Sequence, residues 1–257
     1  MQSLVESVEV QVHGPSDDPM KGKCGAHVWL CDLDDARTYE VSGATELLPE
    51  EYARAQRIRN LIERRRFIVR SIFVRDVLGK LLGVAPGSLE FATGPRGKPR
   101  LLRPYGGRSW PASGFGFNIS HSENVLALGV AAGWQVGIDI EVVHPLLDML
   151  TIVDTQFGPL EFERLAALPA PDRTLEFYRL WTEREAAAKL EGNGIALEPL
   201  RGTPVYSHRT IHPLTLTFAG KEVVGNMALG REPRADKRPF PLSRGISARR
   251  LFRALVE

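Results

Sequence analysis

Gly137-Ile138-Asp139-Ile140-Glu141 sets two carboxylates two residues apart in a segment with strand character. Side chains alternate along a strand, so Asp139 and Glu141 share one face while Ile138 and Ile140 share the other. Paired carboxylates repel unless a cation compensates them, and a hard divalent ion such as Mg²⁺ takes oxygen ligands at such a spacing. A solvated strand face is the plainer reading of an isolated Asp-x-Glu. A third acid, Glu185, lies in Trp181-Thr182-Glu183-Arg184-Glu185-Ala186-Ala187-Ala188-Lys189. On a helix, Trp181, Glu185 and Lys189 follow one another at one-turn intervals on a common face. An exposed Glu–Lys pair, worth roughly a few tenths of a kcal/mol, would explain the two charges alone. The neighbouring alanines thin the helix there and suit close approach of another group.

The basic candidates lie upstream. Lys98, in the Gly97-Lys98-Pro99 loop, could reach a phosphate, and Arg66 with Arg70 one turn later could clamp another. A solvated basic helix face is the competing reading of the arginines. Ser120 and His121 are adjacent on a strand, where side chains diverge, so they make a poor nucleophile–base pair. A G-x-S-x-G elbow, a G-x-x-x-x-G-K-[ST] phosphate loop and a strand-following G-x-G-x-x-G are all missing from the sequence, which weighs against serine hydrolases, P-loop ATPases and dinucleotide oxidoreductases. Cys24 and Cys31 flank His27, but no second ligand pair with zinc spacing follows, so they read as reduced thiols.

These groups need elements to hold them. Strand patterns cover residues 8–12 and 26–31, then helical patterns cover 50–58 and 63–82. In the longer helix Phe67, Val74, Leu78 and Leu81 form an apolar face, Arg64, Arg65, Arg66, Arg70 and Arg75 fill the rest, and Gly83 and Pro86 end it. Residues 88–92 read as a strand. Residues 115–120 and 125–131 read as two more around a polar turn, Ser-His-Ser-Glu-Asn, and residues 135–142 follow the turn at Gly133 and Trp134. Helices are predicted over 159–168 and 172–191, the latter opened by Asp172 and closed by Gly192. Residues 214–218 and 222–228 make a hairpin across Ala219-Gly220, before an Arg- and Pro-rich tail. Helices and antiparallel strands mix without βαβ alternation, which defines an α+β fold, and each half offers a long helix and several strands.

The chain has 257 residues, 43% hydrophobic and 25% charged, with a formal net charge of +2. By segment the charge is uneven: −7 over residues 1–50, +10 over 51–110, −7 over 134–200 and +7 over 201–257. A basic block preceding an acidic one points to an anionic ligand on one side and a cation on the other. No apolar run approaches the roughly 20 residues of a membrane helix, and the first residues lack a signal core, so a cytoplasmic protein without membrane association is expected. No nucleic-acid motif accompanies the basic blocks.

Taken in order, the motifs resemble the Sfp-type 4′-phosphopantetheinyl transferases. The matching run is Arg66-Phe67 with Arg70 and Arg75, then Gly97-Lys98-Pro99, then Phe117-Asn118-Ile119-Ser120-His121-Ser122, Gly137-Ile138-Asp139-Ile140-Glu141, and the helix from Trp181 to Lys189. It spans about residues 50–195, with Arg184 standing where many relatives have lysine. The resemblance implies transfer of the phosphopantetheine arm of coenzyme A to a serine of an apo acyl, peptidyl or aryl carrier protein, with release of adenosine 3′,5′-bisphosphate. It implies Mg²⁺, with Mn²⁺ as the substitute ion, held by Asp139, Glu141 and Glu185. Glu185, or a water it orients, would take the serine proton, and Lys189 would stabilise charge on the pyrophosphate. Arg66, Arg70, Lys98, Ser120 and His121 would hold the nucleotide phosphates. The implied fold is a pseudo-dimer of two similar α+β halves, residues 1–133 and 134–257, acting as a monomer with coenzyme A in the cleft. A protein that only binds coenzyme A is the alternative, and the complete set of acids with Lys189 speaks against it.

Overall fold

The computed structural model describes residues 10–13, 25–35, 47–94, 97–102, 115–192 and 209–230. Three antiparallel sheets and five α-helices are built from these segments, so the expected α+β class holds. The first sheet has the order β1-β2-β6-β5, from β1 (Val10–His13), β2 (Gly25–Asp32), β5 (Phe115–Ser122) and β6 (Val125–Ala132). A small sheet pairs β3 (Phe91–Thr93) with β4 (Pro99–Leu101). The third has the order β7-β9-β8, from β7 (Gln135–Val142), β8 (Arg209–Phe218) and β9 (Lys221–Gly230). Pro213 sits in β8, at the sheet edge, where a missing backbone donor is tolerated.

Helix α1 (Pro49–Gln56) and helix α2 (Leu61–Leu82) lie close to their expected spans. Asn60 starts α2, its Oδ1 accepting from the Ile62 and Glu63 amides at 2.9 and 3.2 Å. The apolar face of α2 packs Val69, Phe73, Val77 and Leu78 onto Cys31, Phe117, Leu126 and Leu128 of the first sheet. The opposite face of that sheet, with Val28, Leu30 and Ala127, meets Val136, Ile138, Ile140 and Met227 of the third. Helix α3 (Met149–Gln156), α4 (Pro159–Ala166) and α5 (Ala170–Glu191) cover the outer side of the third sheet. The result is four layers: helix, sheet, sheet, helices. Arg75, 2% exposed, locks the first layer, reaching Glu51 at 3.0 Å and the carbonyls of Pro86 and Leu89 while stacking on Phe91.

Four local expectations are corrected. Pro169, not Asp172, precedes the first turn of α5, and Asp172 lies within that turn, where a carboxylate still complements the helix dipole. The strand expected over 88–92 is a 3₁₀ turn, Pro86–Ser88, followed by β3. His121 and Ser122 belong to β5 rather than to a polar turn; the turn itself is Glu123-Asn124, with Glu123 at φ 52°. Helix α3 is absent from the expected elements, although Thr151, Asp154 and Thr155 give it an exposed polar face opposite buried Met149 and Val153. Cys31 is a free thiol buried in the core, pushed up to about 12 by burial; Cys24 and the tail after residue 230 lie outside the described residues.

Candidate active site

Strands β5 and β7 lie at the edges of two different sheets, yet they are joined. An edge strand leaves alternate backbone groups without partners, and here the side chains of β5 supply them. Asn118 Oδ1 accepts from the Ile138 amide at 3.0 Å, Ser120 Oγ from Ile140 at 3.4 Å, and Ser122 Oγ from Val142 at 3.1 Å. The two-residue repeat of these polar groups matches the repeat of outward-facing amides on β7. The approach is close, since a Cβ on Gly116 would fall 2.1 Å from the Trp134 carbonyl oxygen.

The same hydroxyls reach the acids of β7. Ser120 Oγ donates to Asp139 Oδ1 at 2.8 Å, and Ser122 Oγ donates to Glu141 Oε2 at 2.6 Å. From α5, Lys189 Nζ donates to Asp139 Oδ1 at 2.6 Å and to Ser120 Oγ at 2.9 Å. Helix and strand can meet because residue 137 is glycine; a Cβ there would lie 2.0 Å from the Ala186 carbonyl oxygen and 2.3 Å from the Leu190 nitrogen. The small, buried Ala186 forms the helix side of this contact together with Leu190.

The electrostatics of this centre are strained. Burial raises the carboxyl of Asp139 above its ordinary range, against the opposing pull of Lys189 and Ser120. Burial also pushes Glu141 up to about 7, with the Asp139 charge adding to it. Glu185 reaches about 7 for the same two reasons, burial first and Asp139 second. Asp139 Oδ2 is buried without a hydrogen-bond partner. Three acids around one ammonium leave a deficit of positive charge, and a buried oxygen with no donor is what a cation would satisfy. The donor set is all oxygen, which fits Mg²⁺. Among the described residues, however, no three His, Cys, Asp or Glu groups are already drawn into a metal-holding cluster.

The basic residues divide. Arg66, Arg70 and His121 line a cavity of about 220 Å³ with Glu63, walled by Leu33, Ile58 and Phe67. Arg66 forks onto Asp34 at 2.7 and 2.9 Å and also reaches Glu63 at 3.2 Å. Arg70 stacks on Phe67 with 5.1 Å to the ring centroid. Burial, then Arg54, lowers its pKa, and among the described residues no carboxylate lies within ion-pair distance. His121 is held below its usual range by burial, then by Arg70 and Lys189. A half-buried guanidinium beside a neutral imidazole and a second guanidinium favours an anion.

Lys98 and Ser120 do not line this cavity. Ser120 faces Asp139 and Lys189 instead of lining the cavity. The Lys98 ammonium turns inward, donating to the carbonyls of Val136 at 2.7 Å and Leu190 at 3.1 Å. A loop position said nothing about which way the side chain would turn. Sequence reading had also given no role to Asn118, Ser122 or Glu63, although the Asn-x-Ser-x-Ser alternation was visible. Arg184 donates to the Gln156 carbonyl at 2.7 Å and stacks on Phe157 at 4.3 Å, fastening α3 to α5.

Comparison with known proteins agrees with this geometry. Residues 135–225, which contain β7 and α5, match the model of the 4′-phosphopantetheinyl transferase superfamily. The chain is 38% identical over 170 residues to 4′-phosphopantetheinyl transferase HetI of Nostoc sp. strain PCC 7120, covering 66% of this chain and 70% of that one. It is 33% identical over 147 residues to 4′-phosphopantetheinyl transferase psf-1 of Bacillus pumilus, 57% of this chain and 58% of the relative. With 4′-phosphopantetheinyl transferase Sfp of Bacillus subtilis strain 168 it shares 29% over 161 residues, 63% and 66% of the two lengths. The chain belongs to the Sfp-type 4′-phosphopantetheinyl transferases, and its enzyme class is theirs. No helix among the described residues is long and apolar enough to cross a membrane.

Proposed function

We propose that the protein transfers the 4′-phosphopantetheine arm of coenzyme A to a serine hydroxyl of an apo acyl, peptidyl or aryl carrier protein, with Mg²⁺ held by Asp139, Glu141 and Glu185. The observation that carries this reading is the uncompensated set of acids from β7 and α5, with Asp139 Oδ2 orphaned in its midst. When held there, the ion would supply Lewis-acid neutralisation of the charge on the pyrophosphate.

The chain's own groups do the rest. Arg66, Arg70 and His121 hold a phosphate of the nucleotide in their cavity, where the desolvated Arg70 gains a counter-charge. Lys189, anchored between Asp139 and Ser120, presents positive charge to the pyrophosphate. Glu185 accepts the proton of the incoming serine directly or through a water it orients. The serine oxygen forms the new phosphoester bond, and adenosine 3′,5′-bisphosphate leaves with the electron pair of the broken one. The nucleophile comes from the partner, which is why no activated serine or cysteine is needed in this chain. We assign residues 1–133 and 134–257 to two α+β halves that divide at Gly133, and we place the enzyme in the cytoplasm as a monomer.

Purified protein mixed with coenzyme A, Mg²⁺ and an apo carrier protein should add one arm to the carrier, read by intact mass. A panel of fatty-acid, polyketide and peptide-synthesis carriers that all keep their mass would sink the proposal.

A further inference from the structure

Lys98 stands apart from the other cations because its partners are two carbonyls on different elements. Val136 belongs to β7, and its carbonyl lies on the edge whose amides at Ile138, Ile140 and Val142 are taken by β5 side chains. Leu190 closes α5, where the last carbonyls of a helix lack intrahelical donors and favour a cation. The two carbonyls flank the place where Gly137 lets β7 touch Ala186 and Leu190. One ammonium therefore spans the contact on which Asp139 and Glu141 face Glu185 and Lys189.

We propose that Lys98 is a positioning residue: by bridging the Val136 and Leu190 carbonyls it sets the separation between the β7 acids and the α5 pair Glu185–Lys189. No carboxylate neutralises it among the described residues, and burial lowers its pKa to about 8. A lysine kept in such surroundings at that cost is spent on geometry: its hydrogen bonds run to backbone, and the cavity lined by Arg66, Arg70 and His121 does not include it. The consequence for turnover rests on the transferase reading above; the consequence for the β7–α5 contact does not.

The test compares the intact protein with Lys98→Met and Lys98→Arg. Amide hydrogen exchange at the start of β7 and in the last turn of α5 should quicken about tenfold in Lys98→Met, while α2 stays protected. Coenzyme A affinity, measured calorimetrically, should change less than about twofold, and kcat at saturating coenzyme A should fall about 10- to 100-fold, because small misplacements of reacting groups are costly. Lys98→Arg keeps a cation and its donors and should recover part of both losses; it carries the same readouts should Lys98→Met not fold. Unchanged exchange at both elements would overturn the proposal. So would a tenfold loss of coenzyme A affinity with kcat retained, the mark of a phosphate ligand. A wild-type protein that moved no arm would sink the transferase reading, while the exchange data would still decide the role of Lys98.

Discussion

Asp139 is 5% exposed, with one oxygen bonded to Ser120 and Lys189 and the other without a hydrogen-bond partner. Burying a carboxylate with an unmet oxygen costs stability, so it persists for what it does. Asp139→Ala is expected to lower turnover by at least about 100-fold, while removing a strained group and leaving Lys189 free to hydrate. Thermal unfolding should therefore stay near wild type. Near-normal turnover would show that Asp139 is no part of the chemistry. His121 makes a second test. Its pKa is depressed by burial and by Arg70, Lys189 and Arg66, so it is neutral near pH 7 in the free protein. A phosphate placed in the cavity would raise it, and binding must then take up a proton. Coenzyme A affinity should accordingly rise as pH falls from about 7.5 to about 6, more steeply than in His121→Ala. Identical slopes for the two proteins would remove His121 from the phosphate site.

Between elements, the informative links are those a sequence pattern does not contain. The Arg66–Asp34 pair ties α2 to the end of β2, and hydrogen bonding to Arg66 holds the Asp34 carboxyl below its usual range. A depressed carboxylate stabilises the fold above its unfolded pKa, about 4, and that contribution disappears as pH falls through the folded value. Asp34→Asn should therefore lower Tm at pH 7, and the gap to wild type should close at about pH 2 to 3. A gap that persisted in acid would mean that the residue acts by packing. The pair also shows what sequence could not assign. Arg66 was legible as a cation near a phosphate, but its partner Asp34 was not, because Asp34 lies 32 positions away in a turn.

For the whole molecule, the decisive event is the meeting of two sheets and their outer helices. The face that gathers Asp139, Glu141, Glu185 and Lys189 depends on β7 and α5 meeting closely at Gly137. Gly137→Ala would drive a methyl to 2.0 Å from the Ala186 oxygen and force α5 away from β7. Overpacking of this kind costs about 1–3 kcal/mol or more, so stability and transferase activity should fall together. An active, fully stable Gly137→Ala protein would show that the contact is adjustable. The segregated charge of the chain also becomes intelligible at this scale. Arg66 and Arg70 from the basic block line the cavity, whereas Asp139, Glu141 and Glu185 from the acidic block gather beside Lys189.

Local sequence determined most elements and the parity of the acids, because hydrophobic period, caps and side-chain alternation act within a few residues. It placed Asp139 with Glu141 on one face of β7, Glu185 with Lys189 on one face of α5, and the end of α2 at Gly83. Tertiary structure alone decided that Ser120 and Ser122 would hold those acids, that Asn118 would seal one sheet edge to another, and that Lys98 would turn from solvent to two carbonyls. The physical reason is range. A hydrogen bond between residues 98 and 190 has no signature in either neighbourhood, since each partner is an ordinary lysine or an ordinary carbonyl until folding brings them within 3.1 Å.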